Sequence, residues 1–210
     1  MKANVFFYCS KETRQKMYHD LNVFGARVFY EAKIIKEIDL LEQITDDLDN
    51  GVCNPLVKDF MFNYLIDAVR IIIFFENHMK ALLIWKGYCV NKVNGRKEFK
   101  ELAKKQYKEP IFLGDIPSDP KEEINLEKEE IFHPAFKETT IGMRELMEEN
   151  YLEKYSFDND IIEVVKELVI YRNKLHFHHK GEFSISKDKI MKLKKIISYV
   201  EKDLGFINTQ

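Results

Sequence analysis

The stretch IIEVVKELVIYRNKLHFHHK, residues 161–180, predicts a long helix with one buried face. Its apolar residues recur at steps of three, four and seven, the spacing of one helical face: Ile161, Val164, Val165, Leu168 and Leu175. Arg172 falls on this same face, between Leu168 and Leu175. Burying a charged side chain without a partner is costly. We therefore expect Arg172 to be paired or to line a cavity.

Three histidines follow Arg172 closely in the sequence: His176, His178 and His179. If the helix continues, His176 and His179 lie near the face of Arg172, whereas His178 lies roughly 120° away. His178 then meets Arg172 only where the helix bends or where a second chain supplies it. Arginine binds phosphate oxygens through a planar fork of donors, and histidine transfers protons near neutral pH. The cluster suits phosphate chemistry, although histidines at a helix C-terminus also serve simply to bind its last carbonyl groups.

The remaining hydrophobic pattern predicts an all-α protein. Helices are expected, in chain order, over residues 10–50, 56–86, 98–107 and 136–155, and again from about 160 and from about 187. The first is expected to bend near Gly25 or where its apolar spacing changes phase, and Ser186 is expected to cap the last. We expect one domain over residues 1–210, an up-and-down helical bundle of four to five long helices with an irregular charged insertion at about 91–134.

The string RNKLHFH, residues 172–178, resembles the signature of the HEPN superfamily. That signature is an arginine, often followed by asparagine, and a histidine after four to six intervening residues. Five residues separate Arg172 from His178, six separate it from His179, and His176 is too close. The resemblance therefore favours His178 and keeps His179 and His176 as alternates.

The resemblance implies a metal-independent endoribonuclease that acts in phage defence, as in abortive infection, or as the toxin of a toxin–antitoxin pair. In this interpretation His178 takes the proton of a ribose 2′-hydroxyl, which attacks the adjacent phosphodiester. Arg172 stabilises the charge that develops, and Asn173 positions the phosphate or braces the histidine. The alternative is a non-catalytic module of HEPN type that binds RNA, a nucleotide or a protein.

The resemblance also implies partners. Proton transfer needs a base and an acid, and one histidine per chain fills one of these roles. We therefore expect a homodimer whose interface forms a composite Arg/His site. Because an unregulated ribonuclease harms its host, an inhibitory antitoxin or another regulatory partner is expected as well.

Glu76 and Lys80 interrupt the apolar helix predicted over residues 56–86 and can pair, because they lie four residues apart. The run EnnnKALL, followed by Gly87-Tyr88, is similar to the second helix of many HEPN proteins, in which a charged residue points toward the active groove. We therefore keep Glu76 and Lys80 as supporting candidates for the site. A plain surface ion pair is the alternative.

Charge is unevenly distributed in this chain, whose net charge is −2. Residues 172–195 contain eight basic and two acidic residues, a net charge of +6, whereas residues 119–153 have a net charge of −7. The basic stretch contains the Arg/His string, which fits a local phosphate-binding surface. Lys174 and Lys180 are the candidates for RNA contacts, and a solvated lysine face on the last helix is the alternative for the lysines beyond Lys187.

No cofactor or metal is expected. Cys9, Cys53 and Cys89 are far apart in the sequence, which argues against a zinc site and favours a reducing compartment. The longest wholly apolar run, residues 71–75, is far shorter than the ~20 residues of a membrane helix. With no evident signal peptide, we expect a cytoplasmic protein with no membrane contact.

Overall fold

A computed structural model of the chain describes residues 6–8, 11–49, 56–116, 123–125, 130–132, 134–175 and 186–203. This part of the chain is mostly helical, with a few short strands. The helices are α1 (Lys11–Tyr30), α2 (Lys33–Lys36), α3 (Ile38–Asp49), α4 (Val57–Trp85), α5 (Lys100–Lys108), α6 (Met143–Leu146), α7 (Glu149–Leu152), α8 (Asn159–Leu175) and α9 (Lys187–Asp203). The up-and-down bundle stays a prediction.

The strands are two to five residues long and pair antiparallel. They are β1 (Phe6–Tyr8), β2 (Tyr88–Cys89), β3 (Asn91–Val93), β4 (Ile111–Phe112), β5 (Glu123–Asn125), β6 (Glu130–Phe132) and β7 (Phe136–Thr140). They form a three-stranded sheet in the order β1-β6-β5 and two pairs, β2 with β4 and β3 with β7. Apart from the helix expected over residues 98–107, which is α5, the irregular structure expected at about 91–134 is wrong for the described residues, because they contain four of these strands.

The chain divides into two compact units. The first unit contains Met1–Asn22 and Glu76–Ser156, and the second contains Val23–Phe75 and Phe157–Gln210. Helices α1 and α4 each contribute to both units. The expected single domain with an insertion at about 91–134 stays a prediction.

In the second unit, α9 packs against both α3 and α8. The buried apolar face of α8 is the one expected from its spacing, and α9 buries Ile190, Leu193 and Val200 at its own three- and seven-residue steps. Helix α1 continues without interruption through Gly25. A Cβ atom there would lie 3.2 Å from the ring of Phe74, so the missing side chain lets α1 and α4 approach closely.

The expected continuous helix over residues 10–50 is broken into α1, α2 and α3. The breaks lie at Glu31-Ala32 and at Glu37. The carboxylate of Asp67, on α4, accepts a hydrogen bond of 2.9 Å from the backbone N–H of Ile34, in the first turn of α2. Asp67 thereby fills the place of an N-cap residue, because Ala32 at that position has no side-chain acceptor. The start of α2 was not predictable from local spacing, because the acceptor for its free N–H group is a carboxylate 33 residues away in the sequence.

In the first unit, one core cluster lies around the β3–β7 pair and α5. It contains Cys89, Val93, Ile111, Ala135 and Phe136, with Phe99, Leu102 and Ala103 packed against it. Next to this cluster, the side chain of Gln106, on α5, makes two hydrogen bonds to the backbone of β3. Its Oε1 accepts a bond from the Val93 N–H at 2.7 Å, and its Nε2 donates to the Asn91 carbonyl at 2.6 Å. Gln106 thus serves β3 as an adjacent strand would.

The helix expected over residues 136–155 is wrong. The structure has strand β7 over Phe136–Thr140, followed by the four-residue helices α6 and α7. Val93 pairs with Phe136 and Asn91 with Thr140, so β7 obtains its backbone partners from β3. Residues 136–140 form a strand because their pairing partner, β3, lies more than 40 residues away in the sequence. Local apolar spacing cannot predict such a distant partner.

Candidate functional site

Helix α8 positions Arg172. It starts after Asp158, whose carbonyl accepts bonds from the N–H groups of Ile161 and Ile162, and Asp160 lies in its first turn, where a negative charge is favourable. The spacing argument is confirmed by burial of the residues that precede the arginine: Ile161, Val164, Val165 and Leu168. Arg172 continues this face and is half-buried. Arg172 therefore lies one turn beyond the fully buried Leu168 and is itself partly exposed.

The remaining members of the predicted site lie at or beyond the end of the described helix. The backbone of Asn173 and Lys174 is in the last turn of α8. His176, His178, His179 and Lys180 lie outside the described residues. The pairing of Arg172 with His178, and the alternates His179 and His176, stay predictions.

Glu76 and Lys80 form an ion pair in the first unit. The Lys80 Nζ donates to Glu76 Oε1 at 2.6 Å and to the hydroxyl of Thr140, on β7, at 3.0 Å. Only 10% of the Lys80 side chain and 28% of the Glu76 side chain are exposed. The pair is therefore largely buried and ties α4 to β7, unlike the plain surface pair considered as the alternative. Its role in an active groove stays a prediction.

Five lysines of α9, those at residues 187–195, have carboxylate partners. Each lies within salt-bridge distance of at least one carboxylate: Lys187 to Asp46, Lys189 to Glu167, Lys192 to Glu163 and Asp188, Lys194 to Asp39 and Glu42, and Lys195 to Asp160. Hydrogen bonds that their ammonium groups donate to these carboxylates raise the pKa of Lys192, Lys194 and Lys195. The positive charge of residues 187–195 is thus matched within the second unit.

Another basic surface lies on α5, where the sequence analysis proposed no site. Its exposed face includes Lys100, Lys104 and Lys108. The signal in the sequence was the local charge: residues 86–108 contain eight basic and two acidic residues, a net charge of +6. That equals the net charge of residues 172–195.

One buried histidine has a strongly shifted pKa. His78, on α4, is 1% exposed, and burial lowers its pKa to about 4. Its Nδ1 lies 2.7 Å from Oδ1 of Asn22, so the neutral ring donates from Nδ1 to the amide oxygen. A buried neutral histidine bound to an amide has no access to a substrate. We assign it to the stability of the first unit.

The His78 pKa predicts a pH dependence of stability. Between pH 6.5 and about 4 the unfolded chain binds a proton at His78 that the folded chain does not. The free energy of unfolding should fall by roughly 3 kcal/mol over this window for that reason, and His78→Gln should remove this part of the fall. Urea unfolding of both proteins at several pH values measures the difference, and parallel curves would contradict the assignment.

The described residues contain no group of three or more His, Cys, Asp or Glu side chains that could hold a metal ion. Cys89 is buried, and burial raises the pKa of its thiol to about 12, so it is no nucleophile near neutral pH. None of the described helices is long and apolar enough to cross a membrane.

Comparison with known proteins gives no relative. No protein-family model matches the chain, and neither a curated protein nor a solved structure matches it. The resemblance to HEPN proteins rests on the sequence of residues 172–178 and of the run around Glu76 and Lys80, and it stays a prediction.

Proposed function

We propose that this chain is a metal-independent endoribonuclease of HEPN type, acting in phage defence or as a toxin. The observation that carries the proposal is the position of Arg172 in α8. A half-buried guanidinium follows an apolar face whose residues are almost fully buried. In the sequence, Asn173 follows it directly and His178 follows six positions later. A cation at the edge of an apolar face favours binding of an anion, because the low local polarity strengthens charge–charge attraction.

The proposed reaction uses only side chains of the protein. His178 removes the proton from a ribose 2′-hydroxyl, and the 2′-oxygen attacks the adjacent phosphorus. Arg172 donates hydrogen bonds to the non-bridging oxygens as negative charge builds on them. A second histidine, in our proposal from a second copy of the chain, protonates the departing 5′-oxygen. The products are a 2′,3′-cyclic phosphate and a 5′-hydroxyl.

A homodimer supplies the second histidine. On α8, 55% of Ile170 is exposed. An exposed isoleucine on the helix that carries Arg172 supports contact of this helix with a second copy. An antitoxin or another regulatory protein would then control the activity by covering this surface or by separating the two copies.

Incubation of the purified protein with total RNA in EDTA tests the proposal. We expect fragments from RNA and none from single-stranded DNA, because DNA lacks the attacking 2′-hydroxyl. Cleavage that disappears in EDTA, or that extends to DNA, would contradict the mechanism. Retention of RNA without fragments would instead indicate the non-catalytic binding module.

A further inference from the structure

The first unit leaves several cations of residues 86–108 without a described carboxylate partner, whereas each lysine at residues 187–195 of the second unit has one. Among the described residues, no carboxylate lies within salt-bridge distance of Arg96, Lys97, Lys100 or Lys108. Lys104 pairs with Glu101 at 2.6 Å, but the Glu101 side chain is 82% exposed. Such a surface pair contributes little and is easily exchanged for another anion.

The packing of α5 fixes the direction of these lysines. Leu102 and Ala103 pack on the core of the first unit, and Gln106 is held by two hydrogen bonds to β3. Because one side of α5 is held in this way, Lys100, Lys104 and Lys108 project from the other. They are spaced by four residues, so they follow one another at about 6 Å along the helix.

An aromatic side chain and a cleft lie beside this lysine row. Tyr107 is 60% exposed. It lines a cleft of about 170 Å³ together with Lys92, Gly95, Gln106 and Lys137, among others. No atom lies within 4 Å of where a Cβ of Gly95 would be, so the cleft is open on that side. A flat ring next to a row of cations is the combination with which proteins hold single-stranded nucleic acid.

We infer that the exposed face of α5 binds single-stranded RNA. Lys100, Lys104 and Lys108, with Arg96 and Lys97 before them, contact the phosphates, and Tyr107 stacks on a base at the cleft. A membrane surface fits less well, because a membrane-binding helix needs a wide exposed apolar face. Tyr107 is the one large hydrophobic residue of α5 that is exposed. The choice of RNA rather than DNA rests on the proposed function.

The test is binding of a fluorescein-labelled single-stranded RNA to the full chain, followed by fluorescence anisotropy at several salt concentrations. All proteins carry Arg172→Ala, so that cleavage does not consume the probe. The variant Lys100→Gln/Lys104→Gln/Lys108→Gln is compared with Lys187→Gln/Lys192→Gln/Lys195→Gln on α9. Both triples change the net charge by the same amount, and circular dichroism confirms that each is folded.

We expect the α5 triple to weaken binding at least about tenfold and to reduce the slope of log K against log salt by about 2, since three phosphate contacts are lost. The α9 triple variant should leave both the affinity and the salt slope nearly unchanged. Tyr107→Ala should weaken binding roughly tenfold with an unchanged slope, because stacking releases no counterions. Equal losses in the two triples, or wild-type binding by the α5 triple, would overturn the inference.

This outcome is separable from the proposed ribonuclease activity. A protein that binds RNA through α5 but cuts nothing keeps the inference and removes the proposed function. A protein that cuts RNA but binds it equally well with and without the α5 lysines does the reverse.

Discussion

Replacing Arg172 with alanine is expected to slow RNA cleavage by about 10²–10³-fold, the usual effect of removing one donor that stabilises a developing oxyanion. Arg172→Lys should recover part of the rate, because it keeps the charge but loses the planar fork of donors. The measurement is the single-turnover rate at saturating RNA in EDTA. Saturation separates loss of the chemical step from loss of binding.

The matched control is Arg144→Ala, which removes an exposed arginine on α6 and should leave the rate unchanged. His178→Ala should cost about as much as Arg172→Ala, since proton transfer contributes roughly 10²–10⁴-fold. His176→Ala and His179→Ala should each retain most of the rate. A loss confined to His179→Ala would move the base to that residue, and full activity in Arg172→Ala would contradict the mechanism.

Replacing Asp67 with alanine is expected to lower the free energy of unfolding by about 1–3 kcal/mol, the cost of leaving a buried donor unsatisfied. The Asp67 carboxylate is fully buried and also pairs with Nη1 of Arg70 at 2.7 Å. Its removal leaves the N–H of Ile34 without its acceptor. Asp67→Asn keeps an acceptor for Ile34 and should therefore cost less.

Urea unfolding followed by circular dichroism measures these losses. Asp20→Ala is the matched control, because Asp20 is exposed on α1 and should change stability by no more than ~0.5 kcal/mol. If Asp67→Ala and Asp20→Ala unfold at the same urea concentration, the cap on α2 contributes nothing.

Helices whose apolar residues recur at regular steps over several turns could be predicted from the sequence. The buried face of α8 follows directly from the three- and four-residue steps, as does the uninterrupted α4. The hydroxyl of Ser186 accepts a bond from the Lys189 N–H at 3.3 Å, the cap that its position indicated. The short helix expected over residues 98–107 is α5. In each of these the deciding interactions lie within a few residues along the chain.

Where the structure differs from the prediction, the deciding hydrogen bonds or ion pairs join residues that are far apart in the sequence. Strand β7 exists because β3 supplies its hydrogen bonds, and α2 begins where the Asp67 carboxylate reaches its backbone. A count of charges along the chain could not show that carboxylates of α3 and α8 neutralise the α9 lysines. The same count could not show that α5 turns its lysines outward. Tertiary packing decides which cations are open to a ligand, and a count of charges along the chain does not report it. The predicted RNA contacts of Lys174 and Lys180 stay predictions.

The half-buried position of Arg172 was predictable for a different reason. Its place on the apolar face follows from α8 alone, because Leu168 lies one turn before it. The composite site with His178 needs a bend in the chain or a second copy, and neither can be derived from the spacing of one helix.

The most direct test is the chemistry of the RNA ends formed in EDTA by wild type and by Arg172→Ala. The account predicts wild-type fragments with a 2′,3′-cyclic phosphate and a 5′-hydroxyl, and almost none from the variant. Fragments with a 3′-hydroxyl and a 5′-phosphate, or equal cleavage by the two proteins, would contradict it.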